Sequence, residues 1–295
     1  MKKKDNLWSD SSFMKPIDPD NKDKMRTFHM KHDEEMNFNC NKCNKKISAH
    51  NKDWHDGMCD DCFNNMYFPD DSPDKDPYSE ANSKGKCRLC SKEFSGKEIK
   101  IHLAECLKNS KGAGESFLLN ASLGPFWVYF SIPKNKTLTD IDNFLRDLWL
   151  ECCGHMSSFE IGKIKYMSDG SELEDNERSM NAKVDKILES GTKIHYEYDF
   201  GTTTDLELKC ISMIRTDSSK IQILARNNIP DFRCDACNEK AEEVCVYCIY
   251  EGEGFLCKKC SIKHKCEEPS FLPIVNSPRT GVCGFTGEDC KLLNA

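Results

Sequence analysis

Six Cys-x-x-Cys pairs recur along this chain, at positions 40/43, 59/62, 87/90, 234/237, 245/248 and 257/260, and they constrain its folding more than any hydrophobic pattern does. Nineteen of the 295 residues are cysteine. The opening Met1-Lys2-Lys3-Lys4-Asp5 turns polar without the apolar stretch of an export signal, so the expected compartment is a reducing, cytoplasmic one. Paired thiolates in that setting point to bound metal, zinc above all, rather than to a disulfide framework. A mean hydropathy of -0.66 and no long uncharged apolar run predict no membrane span.

The first group is Cys40, Cys43, Cys59 and Cys62, with fifteen residues between the pairs. Two such knuckles close a four-thiolate cage around zinc. The module over 39–68 resembles a zinc ribbon or treble clef, with Cys62 at a helix start. His50 and His55 fall in the intervening loop, but four thiolates already fill the site.

The second group is Cys87, Cys90, His102 and Cys106, over 86–110, and it resembles a zinc finger of the Cys-Cys-His-Cys type. Phe94 and Ile99 take the two apolar positions that such a finger needs. A single finger reads only about three base pairs, so spacing alone does not make it a DNA reader.

The third group is the densest, over 233–268: Cys234 and Cys237, Cys245 and Cys248, Cys257 and Cys260, then His264 and Cys266. Eight ligands in four pairs suit two zinc ions. The order resembles a B-box or RING-like cross-brace, in which alternate pairs share a metal, yet sequential pairing satisfies two tetrahedra equally well. The expectation is therefore about four zinc ions, every site closed by four protein ligands and hence structural.

Five cysteines remain. Cys210 reads as a core residue on an apolar strand face. Cys152-Cys153 reads as packing at a helix end, with a vicinal redox switch as the alternative. Cys283 and Cys290 are spare candidates for the last zinc site.

Between the metal modules the hydrophobic period changes. Residues 1–38 are polar without a sustained period and read as disordered, and 69–85 as an acidic, proline-rich linker. From 117 to 232 the pattern is that of a compact domain. Phe126, Val128, Phe130 and Ile132 alternate as in a strand, and Leu138, Ile141, Leu145 and Leu148 make one face of a helix opened by Thr137. A short helix is expected over 180–188. Ile194, Tyr196, Tyr198 and Phe200 then pair with Leu206, Leu208 and Cys210 as a hairpin, followed by a short strand at 221–224. The expected class is α+β: a small mixed sheet with one main amphipathic helix plus several zinc-stabilised modules, closed by 269–295.

Several short motifs in this domain resemble the plasmid Ri ORF-3-like family. They are Phe126-Trp127-Val128-Tyr129-Phe130-Ser131-Ile132-Pro133 with Thr137-Leu138-x-Asp140-Ile141, His155-Met156-x-x-Phe159, Tyr196-x-Tyr198-Asp199-Phe200-Gly201, and Pro278-Arg279-x-Gly281-x-Cys283-Gly284-Phe285. The resemblance implies an α+β fold with no established activity and a link to mobile elements. The family follows its signature with an acidic residue, a tryptophan and a histidine, where this chain has Thr202-Thr203-Thr204-Asp205.

Catalytic patterns are missing. Asp199-Phe200-Gly201 lacks the glycine-rich loop and His-Arg-Asp segment of a kinase, and no Gly-x-Ser-x-Gly, His-Glu-x-x-His or phosphate loop occurs. His155 and His195 read as structural. The formal charge of -7 falls to about -13 once fourteen thiolates and four Zn²⁺ are counted, which disfavours nucleic acid despite Lys92, Lys97, Lys100, Lys108 and Lys111 near the second finger. The sequence therefore predicts a non-enzymatic adaptor that binds protein, with nucleic-acid association as the alternative.

Overall fold

The computed structural model describes residues 26–28, 30–67, 78–108 and 112–294, in two units, Met1–Asp76 and Pro77–Ala295. Most of the disordered segment expected over 1–38, and the linker up to residue 77, lie outside the described residues. No helix among them is long and apolar enough to cross a membrane.

The first unit is a hairpin of β1 (Phe38–Asn39) and β2 (Lys46–Ile47), followed by helices α1 (Ala49–Trp54) and α2 (Asp60–Tyr67). Ser48 caps α1 by accepting the Asn51 N–H at 3.0 Å, and Asp60 and Asp61 place negative charge at the start of α2. Among the described residues its buried apolar cluster holds Cys40, Ile47, Met58 and Cys59, and two of those are metal-ligand candidates. A core that small does not support a fold unaided.

The second unit is built on one ten-stranded sheet. In chain order its elements are β3 (Lys84–Cys87), β4 (Glu93–Ser95), α3 (Gly96–Leu107), β5 (Gly114–Leu123), β6 (Phe126–Pro133), α4 (Leu138–Leu145), β7 (Ser157–Ile161), β8 (Ile164–Met167), β9 (Glu177–Ser179), β10 (Lys193–Tyr198), β11 (Thr204–Thr216) and β12 (Gln222–Asn227). The strand order is β4-β3-β12-β6-β5-β11-β10-β7-β8-β9, antiparallel except for β8 and β9. A second sheet joins β13 (Glu243–Cys245), β14 (Phe255–Leu256) and β15 (Phe271–Pro273), with α5 (Lys258–Ser261) after β14.

The class is α+β, as the sequence implies, with a larger sheet. The increase comes from β5, which pairs with β6 from Ser116 to Leu123, from β7, β8 and β9, which extend the sheet beyond β10, and from the second finger, whose hairpin joins the same sheet through β3 and β12. Every residue of β6 is buried because both faces are covered. Phe126, Val128, Phe130 and Ile132 pack under α4, whereas Trp127 and Tyr129 pack under α3 with Ile99 and Leu103. Residues 78–85 are accordingly packed, not linker: Tyr78 stacks on Phe232 at 5.1 Å, and Ser83 accepts the Trp127 indole N–H at 2.7 Å.

Two local expectations change. Helix α4 stops at Leu145 and continues as one π turn, Arg146–Leu150, whose first residue carries four side-chain hydrogen bonds described below. The helix expected over 180–188 shrinks to a 3₁₀ turn, Val184–Lys186, because Met180 and Ala182 carbonyls accept N–H groups from the start of α4 instead.

Candidate metal centres

A tetrahedral zinc with bonds of about 2.3 Å to sulfur and about 2.0–2.1 Å to nitrogen sets S···S edges near 3.8 Å and S···N edges near 3.5 Å. All sixteen ligands singled out in the sequence fall into four groups whose donor atoms lie within 4.8 Å of one another.

Cys40, Cys43, Cys59 and Cys62 form the first. The β1–β2 hairpin supplies one knuckle, turned by Asn44 at φ 61°, and the start of α2 supplies the other. Cys43 and Cys59 place their sulfurs 3.6 Å apart. The Lys42 N–H points at the Cys40 sulfur at 3.4 Å. Burial opposes ionisation of Cys40, but backbone N–H groups of Cys43, Cys59 and Lys42 outweigh it and draw the thiol down to about 6. Cys62 is pushed up to about 12, first by its bond to Cys59. Four sulfurs so close cannot all ionise without a cation among them.

The second group is Cys87, Cys90, His102 and Cys106. Cys87 ends β3, and His102 and Cys106 sit one turn apart on α3, with His102 Nε2 at 3.2 Å from Cys90 and 3.1 Å from Cys106. Phe94 stacks on the His102 ring at 3.9 Å, and Ile99 is fully buried, as the spacing predicts. A Ser95–Glu98 capping box starts the helix. The finger is not free-standing: one side of α3 lies on Trp127, Leu118 and Leu224 of the sheet.

The third region resolves the pairing that spacing left open. Cys234 and Cys237 join Cys257 and Cys260, while Cys245 and Cys248 join His264 and Cys266. The edges are 3.7 Å for Cys237–Cys257, 3.8 Å for Cys245–Cys266 and 3.3 Å for Cys248–His264. This is a cross-brace. Asp235 ties its knuckles together by accepting the N–H groups of Gly254 and Phe255 at 2.7 and 2.8 Å. Cys234 and Cys245 are each drawn down to about 6, backbone N–H groups again outweighing burial, whereas Cys248 and Cys260 are pushed up to about 12. The module leans on the main core through Phe232, which stacks on Phe255 at 4.4 Å.

The spare cysteines divide. Cys210 is fully buried on β11, and burial pushes its thiol up to about 11, as expected of a core residue. Cys290 is also buried and donates to the Arg146 carbonyl at 3.2 Å. Cys283 does not serve the cross-brace. It joins Cys152, Cys153 and His155 in a fifth group that meets the same 4.8 Å limit. Sequence reasoning missed it because its residues come from a turn and a closing segment far apart in the chain, with no Cys-x-x-Cys pair among them.

Three segments that lie far apart in the sequence meet at this locus. His155 Nε2 lies 3.5 Å from Cys283 Sγ and 3.6 Å from Asp199 Oδ2. Asp199 in turn accepts from Arg279, which is fully buried and also donates to the Thr202 carbonyl and the Thr204 hydroxyl. Burial raises the Asp199 carboxyl, but Arg279 and the Gly201 and Thr202 N–H groups hold it below its ordinary value. Two guanidiniums lie over the Tyr198 ring, Arg146 at 4.7 Å and Arg279 at 4.9 Å from its centre. Phe200, expected to continue the strand alternation, instead turns out to solvent.

The remaining histidines have other surroundings. His195 is on the surface, facing Glu197, Asp205 and Glu207. His50 and His55 take no part in the four-thiolate cage: His50 stacks on His32 at 4.4 Å, and His55 and His32 each point an Nδ1 at Asp60, at 3.0 and 2.9 Å.

A groove of about 990 Å³ runs between α3 and β11. Leu118, Tyr129 and Ile211 form its floor, and Ile101 and Met213 are exposed along it. Lys97, Lys100, Lys108 and Arg215 line its rim, with Glu105 and Glu115.

No family model matches the chain, and no curated protein does either. Among solved structures it is similar to a protein of unknown function from Methanosarcina mazei Go1, at 17% identity and a TM-score of 0.33, over 38% of this chain and 67% of that one. A likeness that low carries no argument about fold or activity.

Proposed function

We propose that this chain is a non-enzymatic, zinc-organised adaptor that binds a protein partner through the groove between α3 and β11. The zinc reading is supported by the donor sets: four groups of three or four thiolates, at separations that match a tetrahedron of soft ligands. Each closes with four protein ligands, which leaves no coordination position for substrate. The plasmid Ri ORF-3-like resemblance fits a binding platform with zinc modules before it and a further one inserted ahead of its closing segment.

The observation that carries the adaptor reading is the groove itself. Ile101, 72% exposed, and Met213, 49% exposed, both line the groove beside apolar Leu118, Tyr129 and Ile211, among largely basic charged residues. Exposed apolar surface rimmed by charge marks an interaction site. Its chemistry suits an acidic amphipathic segment.

The test is capture of cross-linked proteins from a cell lysate by the wild-type chain and by Ile101→Asp and Met213→Asp. Proteins lost from both variants, with metal content unchanged, support the reading. Capture unaffected by either variant contradicts it. A salt-dependent mobility shift with DNA or RNA, abolished by Lys100→Glu and Lys108→Glu, would replace it with nucleic-acid association.

A further inference from the structure

We infer that Cys152, Cys153, His155 and Cys283 hold a fifth zinc ion, which clasps the closing segment of the chain onto the sheet domain. The inference rests on the zinc reading of the other four groups and extends it to a site of different construction.

Geometry comes first. The four donor atoms lie within 4.8 Å of one another, and the Cys283–His155 separation of 3.5 Å equals the S···N edge of a zinc tetrahedron. Cysteine and histidine converge here without the knuckle that organises the other sites.

The backbone is bent to achieve it. Cys283 sits at φ 51°, a left-handed conformation that is strained for a residue with a side chain. Gly281 at φ 83° and Gly284 at φ 66° flank it. This run turns the Cys283 thiol toward His155 while Phe285, two residues on, stays buried in the core. Strain at a polar, ligand-competent residue needs a compensating interaction, and a bond to metal supplies one.

Both halves of the site are held in advance by arginines, the partly buried Arg146 and the fully buried Arg279. Arg146 donates to the His155 carbonyl at 2.7 Å and to the Ser157 hydroxyl at 2.9 Å, and it pairs with Asp142 and Glu151, which fixes the turn that carries Cys152, Cys153 and His155. Glu151 in turn accepts the Gly154 N–H at 2.7 Å. Arg279, on the other half, anchors the closing segment to Asp199 and Thr204. Two rigid pieces that are 128 positions apart at Cys283 and His155 are thus presented to one point.

The fifth site also differs in access. Cys153 and Cys283 are exposed, and a pocket of about 70 Å³ bounded by Glu151, Cys152, Cys153 and Cys283 opens beside them. Its ion should exchange before those of the other four groups.

The test is native mass spectrometry of the full-length chain, purified with zinc under reducing conditions, beside Cys283→Gly and His155→Asn. Glycine removes the thiol yet suits the left-handed backbone, so that variant is expected to fold. The expected result is five zinc ions in the wild type and the loss of one in each variant. Equal counts in the wild type and Cys283→Gly, with the other four ions retained, would overturn the fifth site alone. So would a reduced wild-type protein that stays about 2 Da lighter than its sequence because two of these thiols remain bonded. A wild type without zinc would overturn the broader reading as well.

Discussion

The sulfurs of Cys237 and Cys257 lie 3.7 Å apart although nineteen residues separate them, while Cys245, which falls between them in the sequence, faces Cys266 at 3.8 Å. The two metal groups therefore interleave, and neither forms without the chain passing through the other. Sequential pairing would have given two beads joined by a flexible thread. Interleaving fixes β13 between β14 and β15 and presents Phe232 and Phe255 to the main core as one rigid surface.

Interleaving dictates which ligands share an ion. Cys237→Ser and Cys257→Ser should each lower the metal count by one, and the double variant should lower it no further. Adding Cys248→Ser to either should remove a second ion. Native mass spectrometry of the three combinations checks this, and a loss of two in the Cys237/Cys257 double variant would point to sequential pairing.

Metal uptake should expel protons. Cys40, drawn from its ordinary 9 to about 6, is mostly ionised at pH 7.5, but Cys62, pushed up to about 12, is not. The thiols that remain protonated must lose their protons when the ion enters. A thiol held low stabilises the folded chain above its ordinary value near 9, and that contribution drains away as pH falls through about 6. Metal affinity should thus fall steeply with acidification from pH 8 to 6. Calorimetric titration in buffers of different ionisation enthalpy should show more than one proton released per ion.

Arg279→Leu should destabilise the sheet domain by about 3–5 kcal/mol, since it strands the buried Asp199 carboxylate. Denaturant unfolding measures it. Replacing both partners, Arg279→Leu with Asp199→Leu, should recover part of that loss, whereas an additive result would show that the two side chains act separately.

Gly85 marks the junction of the second finger with the sheet. A Cβ there would fall 2.3 Å from the Arg226 carbonyl and 2.5 Å from the Trp127 ring. Gly85→Ala should therefore cost about 1–3 kcal/mol and lower the melting temperature of the sheet domain along with the finger. Melting of the finger alone would mean that the two fold independently.

How much of this was legible depends on the range of the signal. Candidate-ligand identity was local: a Cys-x-x-Cys pair is a closed unit, and the six pairs, with His102, Cys106, His264 and Cys266 beside them, fall into four groups suited to metal. The α4 face and the β10–β11 hairpin were equally local, set by Leu138, Ile141 and Leu145 and by alternation through Tyr196 and Leu206. Strand β5 was not, because Leu118-Leu119-Asn120-Ala121-Ser122 shows no alternation; it is buried on both faces, so neither face asks for polar residues. The size of the sheet followed from that omission, from the short strands β7, β8 and β9 beyond β10, and from a finger that joins it edge to edge. The Cys152–Cys283 site was invisible for another reason. Adjacent cysteines look like packing until the closing segment is folded back on them.

The most direct test of the zinc reading is the metal content of the intact, reduced chain by native mass spectrometry, before and after mild chelation. At least four zinc ions, whose complete removal unfolds the cysteine-bearing modules, is the predicted result. Three or fewer, or full removal of metal without loss of structure, would contradict it.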